Sequence, residues 1–449
     1  MNVLLISTNR LTVPYPVYPL GLDYVAGAIA HRHRVRIADM NILRDAFSLE
    51  EIIRDFSPAV IGISLRNIDT ADSVDPRAFI DECADIARVI KQCSAAILVC
   101  GGSGFTLFPK EILKAMNADY GIIGEGERLP LLLDALERGE DVADIPGVVM
   151  INFQNRIPEP WDREPVRDFQ KEYSHLPFYL KKGGMLNLQT KRGCHFKCIY
   201  CSYPHIEGRN LRFVSPEKVA ETAIKLQEAG AKYLFITDSA FNADIPQSIA
   251  VAEAFKKAGL SIPWGAFFAP VKLPDHYFRI MADAGMTHVE FGTESLSDVM
   301  LTSYRKPFLT AHVFETHKQA VNAGVHVAHY FLLGGPKESP DTVNETLLNV
   351  AELKKSVFFF FCGVRIYPHT ELYDLALKEG SLSESPDILN PVFYSPMLID
   401  PDKIVRCVEE QAKSHSNWVV GSGGKKTAKI VGRMHDRGHI GPLWDLLIS

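Results

Sequence analysis

No stretch of 18 residues is apolar and free of charge, so no transmembrane helix is expected. Positive charge is nowhere in excess: 48 Lys and Arg stand against 54 Asp and Glu, for a formal charge of −6. A nucleic-acid surface needs clustered Lys and Arg, so no nucleic-acid partner is expected. Nor is a secretion signal recognisable. Met1-Asn2-Val3-Leu4-Leu5-Ile6-Ser7 is apolar but too short for one and lacks a basic flank, and it reads instead as a buried first strand. Cysteine is sparse, with eight in 449 residues. Without secretion no disulfide is expected, and the thiols fit a reducing, cytoplasmic location. What remains is ordinary: 47% hydrophobic and 23% charged residues, enough for a large core, in a length that suggests two to three domains.

Three of the cysteines are concentrated in one loop, Cys194-His195-Phe196-Lys197-Cys198-Ile199-Tyr200-Cys201, after Arg192-Gly193. They stand at i, i+4 and i+7. A 4Fe–4S cluster ordinarily takes four Cys ligands; this loop offers three and leaves one iron for something else. A structural zinc site wants four ligands in two pairs, and there is no second C-x2-C. His195 and His205 could make up that number.

Short apolar runs at 3–7, 35–39, 59–64, 96–100 and 120–123 alternate with helical segments at 20–31, 49–55, 76–91, 110–116 and 128–137. This pattern predicts a doubly wound, Rossmann-like parallel sheet over 1–150. Ligands of such sheets bind beyond the C-terminal strand ends. The residues there are 9–19, Ser64-Leu65-Arg66-Asn67, Gly101-Gly102-Ser103-Gly104 and Gly124-Glu125-Gly126-Glu127. Taken singly, each glycine pair reads as a tight turn. Together they suggest close backbone approach to a large flat ligand. Residues 151–184 are rich in Pro, charge and isolated aromatics and read as a connecting segment, with Phe178, Tyr179 and Leu180 at a domain seam.

A second alternation follows over 185–382. Strands are expected at 185–190, 233–237, 264–268, 288–291, 325–332 and 357–365, with helices at 216–229, 246–257, 275–284, 311–323 and 340–354. The run Val357-Phe358-Phe359-Phe360-Phe361-Cys362 reads as a core strand whose alternate residues face inward; Cys362 reads as a buried thiol. Residues 383–449 read as a third, small helical unit capping the rest. Gly421-Ser422-Gly423-Gly424 reads as a flexible break, and Trp444 as the anchor of the end.

C-x3-C-x2-C with an aromatic before the last Cys resembles the cluster loop of the radical S-adenosylmethionine (SAM) enzymes. The resemblance implies that Cys194, Cys198 and Cys201 bind a 4Fe–4S cluster and carry catalysis through it. SAM would chelate the open iron and be cleaved to a 5′-deoxyadenosyl radical. The second alternation matches the partial (β/α)6 barrel of that family. Its SAM contacts would be Tyr200 beside the cluster and Asp238 toward the ammonium group, unless Asp238 is a helix cap or turn residue. Gly292 and Glu294, in a G-x-E-S-like segment, would serve the adenosine and ribose, unless Glu294 only pairs with Arg305. Arg305 would grip the carboxylate. Gly334 and Gly335 would lie against the adenine. Arg365 and Tyr367, in an R-x-x-P-x-T-x-L-like segment, would point toward the cavity or a corrin, although core packing is the default for Tyr367.

Pro19-Leu20-Gly21-Leu22, Cys100-Gly101-Gly102 and Gly124-Glu125-Gly126-Glu127 resemble the cobalamin-binding domain ahead of many radical SAM cores. The corrin would contact Ser64, Leu65, Gly101, Gly102, Gly124, Glu125 and Gly126. Two departures stand out. No D-x-H-x-x-G follows the first strand, and Gly104 stands where relatives often carry His. A domain that kept the fold and lost cobalamin is the alternative. The resemblance implies methylation of an unactivated carbon through a deoxyadenosyl radical and methylcobalamin. Its alternatives are radical cyclisation or rearrangement of an apolar, lipid-like substrate, or a non-catalytic cobalamin or cluster sensor. The implied partners are a small-molecule or lipid-like substrate and an electron donor such as flavodoxin or ferredoxin. The layout also resembles members tied to lipid biosynthesis, the ladderane-associated group among them.

Overall fold

The computed structural model describes all residues except 13–14, 44–45, 152–157, 162–164, 171–172, 384–385 and 449. Part of the expected connecting segment therefore lies outside the described residues. The first sheet holds β1 (Asn2–Ser7), β2 (Arg34–Asp39), β3 (Val60–Ser64), β4 (Ile97–Gly101), β5 (Tyr120–Ile122) and β6 (Val148–Val149), in the order β2-β1-β3-β4-β5-β6. All pairs are parallel except β5–β6. The central strands are apolar on both faces because helices cover both. The helix expected from 76 begins only at Ile80; ahead of it Asp69 and Ala78 pair in an antiparallel bridge.

β7 (Met185–Leu188) opens the second sheet, and β8 (Lys191–Arg192) and β9 (Arg212–Phe213) form a separate two-stranded ribbon. Then come β10 (Tyr233–Ile236), β11 (Trp264–Phe268), β12 (Met286–Glu294), β13 (His326–Leu333), β14 (Ser356–Cys362) and β15 (Trp418–Val420). Their order is β15-β14-β13-β12-β11-β10-β7, parallel throughout. The helices between them start where the sequence marks them. Ser215, Asp244 and Ser339 each cap a helix with the side-chain oxygen, and a proline follows in the first turn.

The seventh strand corrects the expectation of six. β15 comes from the C-terminal region, which therefore joins the barrel sheet rather than standing as a separate unit. Its three residues are too few for a pattern to show in sequence. The Gly421–Gly424 stretch is likewise not a loose hinge. The Gly421 amide donates to the Phe360 carbonyl at 2.7 Å, and the Ser422 amide to Asp72 at 2.8 Å. A β-carbon on Gly421 would lie 2.6 Å from that carboxylate. Trp444 is buried as expected, with its indole nitrogen 2.9 Å from Glu290.

The two sheets are locked together by buried polar contacts. Arg365 Nε donates to Asp69 at 2.8 Å, and its remaining nitrogens reach the carbonyls of Ile366, Ile388 and Val392. Arg192 pairs with Glu127 and Arg212 with Glu125, each at 2.6 Å. At the other side Arg167 bridges Asp23 and the Asn187 carbonyl, both at 2.9 Å. Tyr179 is fully buried and donates to Asp39 at the end of β2, so the expected seam residue is one. Asp69 and Arg365 are 5% and 4% exposed. Removing one partner of such a pair strands a buried charge, whereas replacing both does not. Asp69→Ala is therefore expected to cost about 3–5 kcal/mol, and the double change Asp69→Leu with Arg365→Met far less. Urea denaturation of the three proteins checks this; equal losses would contradict it.

Candidate functional site

The C-terminal ends of both sheets open onto one cavity of about 510 Å³. The first sheet contributes Ser7, Ser64, Arg66, Gly101 and Gly102, and the loop at 124–127. The second contributes Asn187, Gln189, Thr237 and Tyr367. The glycines here have different jobs. A β-carbon on Gly21 would meet nothing within 4 Å, and on Gly101 or Gly124 its nearest neighbour would be 3.8 or 3.9 Å away. These three leave a smooth open wall, which suits a flat macrocycle. Gly102, at φ +102°, instead lets its loop close on the Leu65 carbonyl, which a β-carbon would approach to 2.5 Å. None of the described lining residues is a histidine.

Several expected contacts also hold the protein's own loops in place. Leu65 is buried in the core, and only its backbone serves the loops, donating to Gly101 and accepting from Gly104. Glu125 lines the cavity but is tied to Arg212 and to the Trp161 amide. Gly126 lines it too, packed so that a β-carbon would touch Val25 at 2.5 Å. Arg365 is consumed by the buried network around Asp69 and does not reach the cavity. Tyr367 does line it, against the core-packing default, and donates to Asp69 at 3.2 Å.

The cysteine loop runs between two residues that line the cavity, Arg192 and Ser202. Gly193, at φ +88°, is required because a β-carbon would lie 2.2 Å from the Asn210 carbonyl. The Cys194 amide donates to Gly208 at 3.1 Å and the Cys201 amide to Cys198 at 3.3 Å. Ile199 fixes the middle of the loop by donating to Tyr304 and accepting from Leu372. Cys194 is buried, Cys198 and Cys201 are half-buried, and all three thiols are free. Burial, with Cys198 adding to it, pushes the Cys201 thiol up to about 12; burial raises Cys198 as well. Three soft sulfur donors on one short turn fit an iron–sulfur cluster.

Beside the loop, the Tyr200 hydroxyl donates to Glu294 at 2.7 Å, and Lys306 Nζ lies 3.0 Å from Glu294 and 3.2 Å from Tyr200. Burial alone would lower the Lys306 ammonium, but Glu294 and Cys198 hold it above its ordinary value. Glu294 has φ +62°, where a non-glycine residue stores about 1–3 kcal/mol of strain. The β12–β13 register shifts at this point, between Gly292 and Glu294. A β-carbon on Gly292 would meet that Glu294 carboxylate at 3.3 Å.

Four of the expected SAM contacts meet protein partners in this structure. Arg305 turns outward and pairs on the surface with Glu371 at 2.6 Å, whereas its neighbour Lys306 turns inward to Glu294 at 3.0 Å. Adjacent residues in a turn point in different directions, and the sequence does not say which points in. Asp238 is buried and saturated by the Thr190 amide and hydroxyl and by Lys191 Nζ, so it braces the start of the cysteine loop. The Gly335 amide donates to the Tyr304 hydroxyl, and a β-carbon there would lie 2.1 Å from the Tyr304 ring. That glycine makes room for a tyrosine. Gly334, at φ +93°, donates to Glu338.

The barrel interior was only partly foreseen. Phe358 and Phe360 pack outward with Trp418, while Phe359 and Phe361 turn inward, as the alternation predicts. Tyr330 stacks on Phe359 at 4.7 Å, and Phe267 remains 38% exposed within the barrel sheet. Among them sits Glu290, 3% exposed, accepting from Trp444 and from Tyr330. Its sequence signal was an acid between Val289 and Phe291, two positions before Gly292 and on the same face of the strand. Cys362 is buried and unreactive, pushed up to about 12 by burial.

Comparison with known proteins agrees with this geometry. Residues 188–350 match the radical SAM superfamily and residues 6–133 the B12 binding domain. An uncharacterized methyltransferase of Pyrococcus horikoshii is 27% identical over 379 residues, covering 81% of this chain and 79% of that one. The hopanoid C-3 methylase of Methylococcus capsulatus is 24% identical over 432 residues, covering 92% and 79%. Among solved structures, the radical SAM methyltransferase TsrM of Kitasatospora setae, with tryptophan and a SAM analogue bound, superposes with a TM-score of 0.88 at 20% identity, covering 99% and 97%. That likeness shows that the whole chain, C-terminal region included, follows one known fold. With its B12 binding domain set against its radical SAM domain, the chain belongs to the cobalamin-binding radical SAM enzymes.

Proposed function

We propose that this enzyme methylates an unactivated carbon of a small, largely apolar or aromatic substrate. The observation that carries the reading is that one cavity joins the glycine wall of the first sheet to the strand ends of the barrel at Asn187, Gln189 and Thr237, and that the same barrel sheet carries the half-buried aromatics Tyr330, Phe359 and Phe361. Cys194, Cys198 and Cys201 would hold the 4Fe–4S cluster. Lys306 and Glu294 would hold the carboxylate and the amino or hydroxyl groups of SAM. Gly21, Gly101, Gly102 and Gly124, with Ser64, would hold cobalamin. When bound, these groups supply a carbon-centred radical and a methyl group. The chain's own residues bind, orient and keep water out.

Tyr330, Phe359, Phe361 and Phe267 would grip the substrate's apolar body, and Glu290 would accept a hydrogen bond from its single polar group. No helix among the described residues is long and apolar enough to cross a membrane. A cytoplasmic location suits the free thiols. A reduced flavodoxin or ferredoxin would supply the electron. The hopanoid relative supports a lipid-like substrate and TsrM an aromatic one.

Stoichiometry tests the reaction. Two SAM should be consumed per product, yielding one 5′-deoxyadenosine with one methionine, and one S-adenosylhomocysteine, with a product one CH2 heavier. A product of unchanged mass, without S-adenosylhomocysteine, would replace methylation by cyclisation or rearrangement.

The SAM assignment separates two adjacent cations. Lys306→Ala should weaken SAM binding about tenfold or more, the loss of a charged hydrogen bond of about 1.5–3 kcal/mol. Arg305→Ala should leave it within about twofold, since exposed pairs are worth little. Equilibrium dialysis under anaerobic conditions measures both, and the reverse ranking would restore Arg305.

Glu290 makes a pH prediction. Burial pushes its carboxyl up to about 7 from 4.5, against the lowering effect of Trp444 and Tyr330. Between those values the folded chain keeps a proton that the unfolded chain has lost. Stability should therefore fall as pH rises across that window and stay low above it. Glu290→Gln should remove the slope and gain on the wild type between roughly pH 5 and pH 8. Urea midpoints across that range decide it; a difference independent of pH would show that another group titrates.

A further inference from the structure

On the closed end of the barrel, away from the cavity, three potential metal ligands converge. His288 on β12 and His326 on β13 are direct cross-strand partners. Their rings lie 5.1 Å apart at an angle of 33°. Asp445 arrives from the C-terminal 3-10 helix Trp444–Leu447, with Oδ2 3.6 Å from His288 Nε2. One ligand atom from each of the three falls within 4.8 Å of the other two.

His288 is the telling member. Its side chain is only 9% exposed, and its buried Nε2 has no hydrogen-bond partner within 3.5 Å, the Asp445 carboxylate standing just beyond at 3.6 Å. Leaving such a group unpaired costs about 1–3 kcal/mol. Its other nitrogen, Nδ1, lies 2.8 Å from the Thr287 hydroxyl. With Nδ1–H donating to that oxygen, Nε2 carries a free lone pair beside Asp445. An outer hydrogen bond that fixes the tautomer of a histidine is the usual support of a metal ligand. Nothing comparable holds at the other cluster of this kind, His33, Asp134 and Glu137. There Met1 and Arg32 already supply the positive charge.

We propose that His288, His326 and Asp445 bind one zinc-type divalent ion, which clamps the C-terminal segment to the barrel floor. Two imidazoles and a carboxylate suit zinc or its neighbours rather than magnesium or calcium. Ligand bonds of about 2.0–2.1 Å place tetrahedral ligands roughly 3.3 Å apart, close to the His288–Asp445 separation. His326, exposed at the strand end, is free to close the remaining gap, and water completes the coordination. The clamp has a target. Trp444, next to Asp445, packs edge-on against His288 at 5.1 Å and donates to Glu290. The ion would thereby fix the floor on which the buried carboxylate rests. It is a positioning site, and it stands whether or not the reaction proposed above is correct.

The test uses anaerobic enzyme with cluster and cobalamin loaded, so that the cluster cysteines are occupied. Adventitious metal is removed with EDTA, and Zn²⁺ is titrated by calorimetry and by its effect on Tm. Wild type should bind one equivalent and rise in Tm. His326→Ala, a change at an exposed position, and Asp445→Asn should each weaken binding by about 100-fold or more, beyond the 10–100-fold typical of second-shell losses. Both should keep the wild-type iron content. Substitution by Co²⁺ should give a tetrahedral spectrum without thiolate charge-transfer bands. Equal zinc affinity in wild type and variants, no binding at all, or a thiolate signature from a cysteine site would each overturn the proposal.

Discussion

Asp69 and Arg365 sit almost 300 positions apart in the chain, and their ion pair is buried where two parallel sheets meet end to end. The rest of the arrangement follows from that meeting. A parallel sheet concentrates its loops, free amides and glycines at the C-terminal strand ends. Facing two such ends toward each other makes one chamber of both. Holding them there takes directional contacts, because the rims are polar and cannot be glued by apolar area alone. Arg192 with Glu127, Arg212 with Glu125 and Arg167 with Asp23 supply those contacts around the rim.

The same rim explains why many expected ligand contacts turned out to be braces. A charged residue at a strand end is well placed to touch a cofactor, and equally well placed to hold the neighbouring loop. Asp238 pins Thr190 and Lys191, and so steadies the entry to the cysteine loop. Gly335 yields space to Tyr304, whose backbone carbonyl in turn receives the Ile199 amide from the middle of that loop. Geometry at the cysteine loop is thus set by residues outside it. Such support is what keeps a reactive site in register.

The barrel is closed from below by the end of the chain. β15 extends the sheet beside β14, and Trp444 enters among Ala328, Val357 and the inward face of Tyr330. A buried acid in an aromatic chamber is costly unless donors meet it, and Trp444 and Tyr330 are those donors. The C-terminal region therefore shapes the interior as much as the barrel strands do, although it carries no recognisable catalytic pattern.

Local pattern made the alternation of strands and helices, the proline-marked helix starts, the three-thiol loop and the inward alternation of Phe359 and Phe361 legible. Each depends on neighbours a few positions apart, and periodicity and spacing record those directly. The sequence by itself thus determined the two-sheet architecture, the three-thiol loop and the glycines at the strand ends. Which of Arg305 and Lys306 turns inward, whether Arg365 reaches a ligand or Asp69, and where a three-residue strand finds its partner are decided by contacts across tens to hundreds of positions. Only the tertiary structure brings those groups together, because side-chain direction at a turn and the pairing of a buried charge depend on what the rest of the chain packs against them.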